Sequence, residues 1–284
     1  MRQRWLFILT LFTLIMGLGS ITFFTTTTDL PTHEKQHLTT LDPKKVQHIR
    51  LERLNKETVV FTKDTQGIWY VQEPFQLPAN RFRVENILTL LYSTQFSLLT
   101  SDNINLAELK LDPPLVKVTY DDFPIQLGLV SPFNDGRRYA LVNGKVYLLL
   151  DTIYRFLTDE AALAVSLFPL GDSADIIELR LPTLHLKQQE GIWKLQHTDT
   201  VGISTDDLTA LVENWQHLQA ISVGRYQEKP VLAIIEVITS THTFHFELQA
   251  TYPEFILGLP EKGILYYLPP TQAKTLLGKT ETGK

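Results

Sequence analysis

Gly67-Ile68-Trp69-Tyr70-Val71 returns later in the chain as Gly191-Ile192-Trp193-Lys194-Leu195, at an offset of 124 residues (191 minus 67). Each copy follows short runs in which apolar and polar residues alternate, the period of half-buried strands. Each precedes a run whose apolar residues fall at helical spacing. The motif is therefore the repeat-defining feature of the sequence, carried by Gly67 and Trp69 in one copy and Gly191 and Trp193 in the other. It predicts an α+β protein of two tandem similar units, each an antiparallel sheet with one longer helix on a face.

Outward from the first copy, Ile49 and Leu51, then Val59 and Phe61, alternate with polar residues, and Ile68 to Val71 makes a third strand. Pro74 and Pro78 lack the N–H that a ladder needs and are expected to end the pairing. Asn80 is placed to cap a helix whose stripe is Val84, Ile87, Leu88, Leu91 and Tyr92. Val116, Val118 and Tyr120 resume the alternation, and Asn143-Gly144 between two apolar runs is a strong hairpin signal. A short helix from Asp151 through Leu157 closes the first unit, 46–158. Residues 158–174, with Pro169 and Gly171, read as the joint.

The second unit, 175–278, repeats the order. Ser204 caps a helix with Asp206 and Asp207 in its first turn and Leu208, Leu211, Val212 and Trp215 on its apolar side. Two hairpins and a short terminal helix follow, and 279–284 is a polar tail.

Residues 1–24 read as a transmembrane anchor. From Trp5 to Phe24 no residue is charged, and a run of about 20 apolar residues spans a bilayer as a helix. Arg2 and Arg4 precede it and the next Lys or Arg is Lys35, which puts the N-terminus in the cytoplasm and the bulk of the chain outside, in the periplasm of a bacterial inner-membrane protein. The alternative is a cleaved signal peptide ending near Gly17-Leu18-Gly19; the apolar residues Ile21, Phe23 and Phe24 beyond that site favour the anchor. Residues 25–45, Thr-rich and without apolar period, read as a linker.

The formal net charge of −5 with scattered Lys and Arg argues against a nucleic-acid surface. The chain has no cysteine, which excludes disulfides, thiolate metal sites and a cysteine nucleophile.

These residues in this order resemble the bacterial family called domain of unknown function 4340. The resemblance rests on Gly67-Ile68-Trp69, Pro74, Pro78-Ala79-Asn80 and the following helix, then Leu106 through Pro114 and the strands of Tyr139 and Tyr147. The family usually has Asp at Asn80 and Gly at Lys110. Some members accompany ABC-transporter components similar to those of gliding systems, which implies an accessory role in an envelope complex. The resemblance carries no catalytic residues.

The residues themselves offer few sites. His242 and His245, three apart on a strand, face opposite ways and cannot share a metal. Asp121-Asp122 suits a turn and Asp206-Asp207 a helix start. Ser131 and Ser204 read as loop and cap, and Trp69 and Trp193 as core anchors. Arg137, Arg138 and Tyr139 are the candidate contact for an anionic ligand or a partner. The expectation is a protein without cofactor or metal, not an enzyme, serving as an accessory or scaffold subunit of an envelope transport complex, with protein partners at the surface between its units. The alternatives are a module that binds a lipid or glycan in a cleft between the units, and a hydrolase whose site is assembled from distant segments.

Overall fold

The computed structural model describes residues 37–100, 104–133, 135–171, 174–196 and 203–278. The expected anchor, most of the linker and the polar tail lie outside them. Every element below lies in one compact unit that begins at Leu38. Among the described residues no helix is long and apolar enough to cross a membrane.

The first half runs β1 (His48–Arg53), β2 (Lys56–Lys63), β3 (Trp69–Glu73), β4 (Leu77–Pro78), α1 (Arg81–Thr89), β5 (Phe96–Leu98), β6 (Val116–Tyr120), β7 (Phe123–Val130), β8 (Arg137–Val142), β9 (Lys145–Leu150) and α2 (Tyr154–Thr158). The second runs β10 (Ile176–Arg180), β11 (His185–Gln189), β12 (Ile192–Leu195), α3 (Thr205–Gln216), β13 (Ser222–Arg225), β14 (Ala233–Thr239), β15 (Thr243–Ala250), β16 (Phe255–Leu259), β17 (Ile264–Leu268) and α4 (Gln272–Leu277).

The strands form two sheets, in orders β4-β3-β2-β1-β6-β7-β8-β9-β5 and β12-β11-β10-β14-β15-β16-β17-β13. Every strand pairing is antiparallel. Without β4 the two orders correspond strand for strand, so the sequence repeat is a repeat of topology. Two antiparallel sheets with few helices fit a two-unit α+β fold, although sheet dominates.

The helices form where capping and periodicity place them. The Asn80 side chain accepts a hydrogen bond from the Arg83 amide, and α1 buries Val84 and Ile87. Ser204 and Asp207 form a reciprocal capping box, and α3 buries Leu208, Leu211, Val212 and Trp215. Each helix is tied down by one buried hydrogen bond. Tyr120 Oη donates to Ile87 O at 2.6 Å, and Trp215 Nε1 donates to Leu276 O at 2.9 Å.

Two expectations change. Leu77 and Pro78 do pair, with Val71 and Tyr70; Pro is tolerated there because β4 is an edge strand whose missing donor breaks no inner ladder. Order also begins before Val46. The Leu38 and Thr39 amides donate to Ser93 O and Leu91 O, and Leu38 is buried, so this part of the expected linker straps onto the end of the α1 segment.

The expected joint is packed. Ala161, Ala162, Ala164, Val165 and Leu170 are buried in one cluster that also contains Ile49 and Phe61 of the first sheet and Val237 and Phe255 of the second. Backbone bonds cross it: Asn80 N to Ala164 O, Ser166 N to Pro78 O and Ala220 N to Leu167 O. The small side chains let backbone approach backbone here. Ionic contacts close the rim. Arg53 donates to the Asp159 and Glu57 carbonyls, and Arg225 of the second half pairs with Glu57 of the first.

Candidate functional site

The adjacent pair Arg137-Arg138 splits across β8, because successive side chains of a strand point to opposite faces. Arg138 turns inward and is 7% exposed. Its Nε and Nη2 donate to Asp151 Oδ2 at 3.0 and 2.8 Å, and Nη1 donates to Gly128 O. Its guanidinium lies 3.3 Å from the centre of the Tyr154 ring. Asp151 and Gly128 accept hydrogen bonds from all three of its nitrogens, and Tyr154 covers one face of the cation. Arg137 points the other way, donating to Ser97 Oγ at 3.0 Å. Tyr139 is buried with Leu111 and Val146 in a small second cluster. The three residues do not converge on one point.

The carboxylate pairs have local structural work. Asp121, at φ 50°, accepts the Gln47 and His48 amides through Oδ1 and so fixes the entry to β1. Asp207 completes the capping box. Ser131 Oγ accepts the Phe133 amide. His245 is exposed on β15; His242 is exposed too, in the turn before that strand and not on it, with its ring 6.4 Å from that of Phe244. Among the described residues no three His, Asp or Glu side chains are grouped to hold a metal.

Glu178 forms a cluster that sequence reading missed. It is 6% exposed on β10, yet accepts from Arg180 Nε at 2.8 Å and pairs with Lys187 Nζ at 3.1 Å, with His185 Nε2 at 2.8 Å. Burial pushes its pKa up, but the hydrogen bonds from His185, Lys187 and Arg180 outweigh this and hold it at about 2. Arg180 extends the network to Glu236 at 2.8 Å. The signal was present as alternation: Glu178, His185 and Lys187 meet only when β10 and β11 pair, Glu178 opposite Lys187. The charges are mutually satisfied, so the cluster binds β11, β10 and β14 together on one face.

The repeat motif leads to a concave feature beside its second copy. Trp69 and Trp193 occupy the same register, opposite Lys63 and Gln188 respectively. Both belong to the core region, Trp193 buried and Trp69 partly so. In the first half Lys63 Nζ lies 5.0 Å from the centre of the Trp69 ring and donates to Lys44 O. In the second half a depression of about 340 Å³ opens there. Its sheet side is Gln188 and Gly191-Ile192-Trp193, and its helix side is the α3 face with Thr205, Thr209, Glu213 and Gln216. Gly67 and Gly191 both adopt positive φ, 85° and 79°, which explains glycine at the turn before each Trp strand.

One further position bears on the relationship of the chain to others. Lys110 lies at φ 53° in the crossover before β6, a conformation that glycine adopts at least cost. No curated protein and no solved structure matches the chain. The family described as a domain of unknown function (DUF4340) matches residues 69–231, from the first Trp strand, through the packed joint, to the approach to β14. That span is more than half of the 284 residues, and the chain belongs to this family.

Proposed function

We propose that the protein is a membrane-tethered, extracytoplasmic scaffold or accessory subunit of an envelope transport complex of the ABC type, and that it performs no chemistry of its own. The tether is the uncharged run Trp5 to Phe24 with Arg2 and Arg4 before it. The observation that carries the scaffold reading is the joint: both halves share one buried core across residues 161–170. A body built this way offers outer surfaces to partners, not a cleft between its halves. It replaces the surface between the units as the place to look for a partner.

Two exposed aromatic residues mark that outer surface. Phe133 in the β7–β8 turn is 78% exposed and Tyr252 in the β15–β16 turn is 82% exposed. The two turns are equivalent in the repeat. Aromatic side chains left in water on a soluble face are favoured anchors for protein partners.

The test is a pull-down of the full-length protein in mild detergent from its native membrane. Membrane transport subunits are expected at fixed stoichiometry, and the double variant Phe133→Ala, Tyr252→Ala is expected to lower their recovery several-fold. Recovery of the protein alone would overturn the proposal. A second reading, a ligand-binding module, is favoured by the depression beside Trp193.

A further inference from the structure

The depression between α3 and the edge of the second sheet is where the two copies of the motif differ most in chemistry. The register is the same on both sides of the repeat: Lys63 stands opposite Trp69, and Gln188 stands opposite Trp193. In the first copy the cation sits over the indole and is held by Lys44 O. In the second copy a neutral amide takes that position and an open volume of about 340 Å³ lies beside it.

The lining decides which ligand class fits. Thr205, Thr209, Glu213 and Gln216 recur along one face of α3 at helical spacing. With Gln188 they present amide, hydroxyl and carboxylate groups. No hydrogen bond within the described protein engages the Gln188, Glu213 or Gln216 side chains, so these groups remain available to a ligand. Among the described residues no Lys, Arg or His lines the depression. A phosphate or carboxylate ligand would therefore meet Glu213 with no opposing charge. Ile192, 51% exposed, and Trp193 supply apolar surface beside the polar groups. A mixture of amides and hydroxyls with a flat apolar wall matches a ring that carries hydroxyls at its rim and C–H groups on its face. The volume sits at the small end of the range of about 300–1,000 Å³ for ligand pockets, enough for one or two such rings.

We infer that the depression beside Trp193 binds a neutral saccharide unit, through Gln188, Glu213 and Gln216 at its rim. The site lies in the second half alone, and the inference does not depend on the scaffold reading.

The test is saturation-transfer NMR on the full-length protein in a detergent without a sugar headgroup. Glucose, galactose and N-acetylglucosamine serve as neutral probes at tens of millimolar, and glucuronate as the charged control. Transfer from at least one neutral sugar is expected. Gln188→Ala and Gln216→Ala, both outside the core, are expected to weaken it about tenfold. Glucuronate is expected to bind more weakly than glucose, and Glu213→Gln to narrow that difference. Circular dichroism of each variant reports that it is folded. The inference is overturned by no transfer from any neutral sugar, by unchanged transfer in both amide variants, or by preference for glucuronate. Recovery of membrane partners by the Gln188→Ala variant is expected to stay at the wild-type level, which separates this site from the scaffold role.

Discussion

The two halves of the molecule share one strand order and differ in how they cover the outer face of their sheets. In the first half the crossover from β5 to β6 is ten residues longer than the one from β13 to β14 (18 steps in the chain against 8). It lays Leu106, Leu109 and Leu111 on Tyr139, Leu141 and Val146, making an apolar cluster on the side away from the main core. The approach is close: the Leu129 amide donates to Leu109 O, and a Cβ on Gly128 would stand 2.1 Å from that oxygen. In the second half the short crossover makes polar contacts instead. Tyr226 Oη donates to Glu247 at 2.6 Å and Gln249 Nε2 to Gln227 O at 3.2 Å, leaving Val231, Leu232 and Ile234 exposed. The inward faces must fill a common core and so keep their pattern. The outward faces are under no such constraint, and it is there, and at the Trp edge, that the halves have separated.

The largest expected effect tests the shared core itself. Trp215 and Leu91 are fully buried at positions equivalent in the repeat. Trp215→Ala is expected to cost about 4 kcal/mol and Leu91→Ala about 3 kcal/mol. Because one core spans both halves, each variant should shift a single denaturant transition. Two transitions moving separately would break the comparison, making the halves independent.

Next come the neighbouring arginines. Arg138→Ala strands the half-buried Asp151 carboxylate and is expected to cost about 3 kcal/mol, whereas Arg137→Ala, at the solvent side, is expected to cost under about 1 kcal/mol. Equal losses in thermal or urea unfolding would contradict the assignment of opposite faces.

The outer faces separate the glycines. Gly128→Ala drives a methyl group into a backbone oxygen and is expected to lose about 2 kcal/mol. Gly258→Ala meets only side-chain ends at 3.2–3.3 Å and is expected to lose about 1 kcal/mol or less. A larger loss at Gly258 would show the short crossover to be the more constrained of the two.

The smallest effect at neutral pH, and the most specific, belongs to the ion cluster of the second sheet. Glu178 is held at about 2 against an ordinary 4.5. Since the folded value lies below the unfolded one, the stabilisation is complete above pH 4.5 and is lost as pH falls through about 2. Glu178→Gln is therefore expected to flatten the decline of the urea midpoint across that window. In the first half Glu52 is met by Arg50 at 3.6 Å and Lys117 at 3.4 Å, all partly exposed. Glu52→Gln is expected to change stability by under about 0.5 kcal/mol. A wild-type acid profile unchanged by Glu178→Gln would show that the cluster contributes nothing beyond solvated charge.

Much of the fold was legible where a residue's role is local. Asn80 and Ser204 cap the helices they were expected to cap, and Asn143-Gly144 turns the β8–β9 hairpin. The short strands Phe96–Leu98 and Ser222–Arg225 escaped notice because three or four residues carry too little period to stand out from a loop. They exist because β9 and β17 offer them an edge. The candidate contact at Arg137, Arg138 and Tyr139 was legible only as a charge pair with an aromatic neighbour. Which of the two arginines faced the core depended on the pleat.

The sequence by itself determined the duplication, the alternation of each sheet and the helix starts, since these follow from spacing and capping within a few residues. The tertiary structure alone decided that Ala161 to Leu170 is core, that Glu178 is encircled by cations, and that the second Trp edge stands open where Lys63 covers the first. Each of these depends on side chains far apart in the chain that only sheet pairing and packing bring within contact.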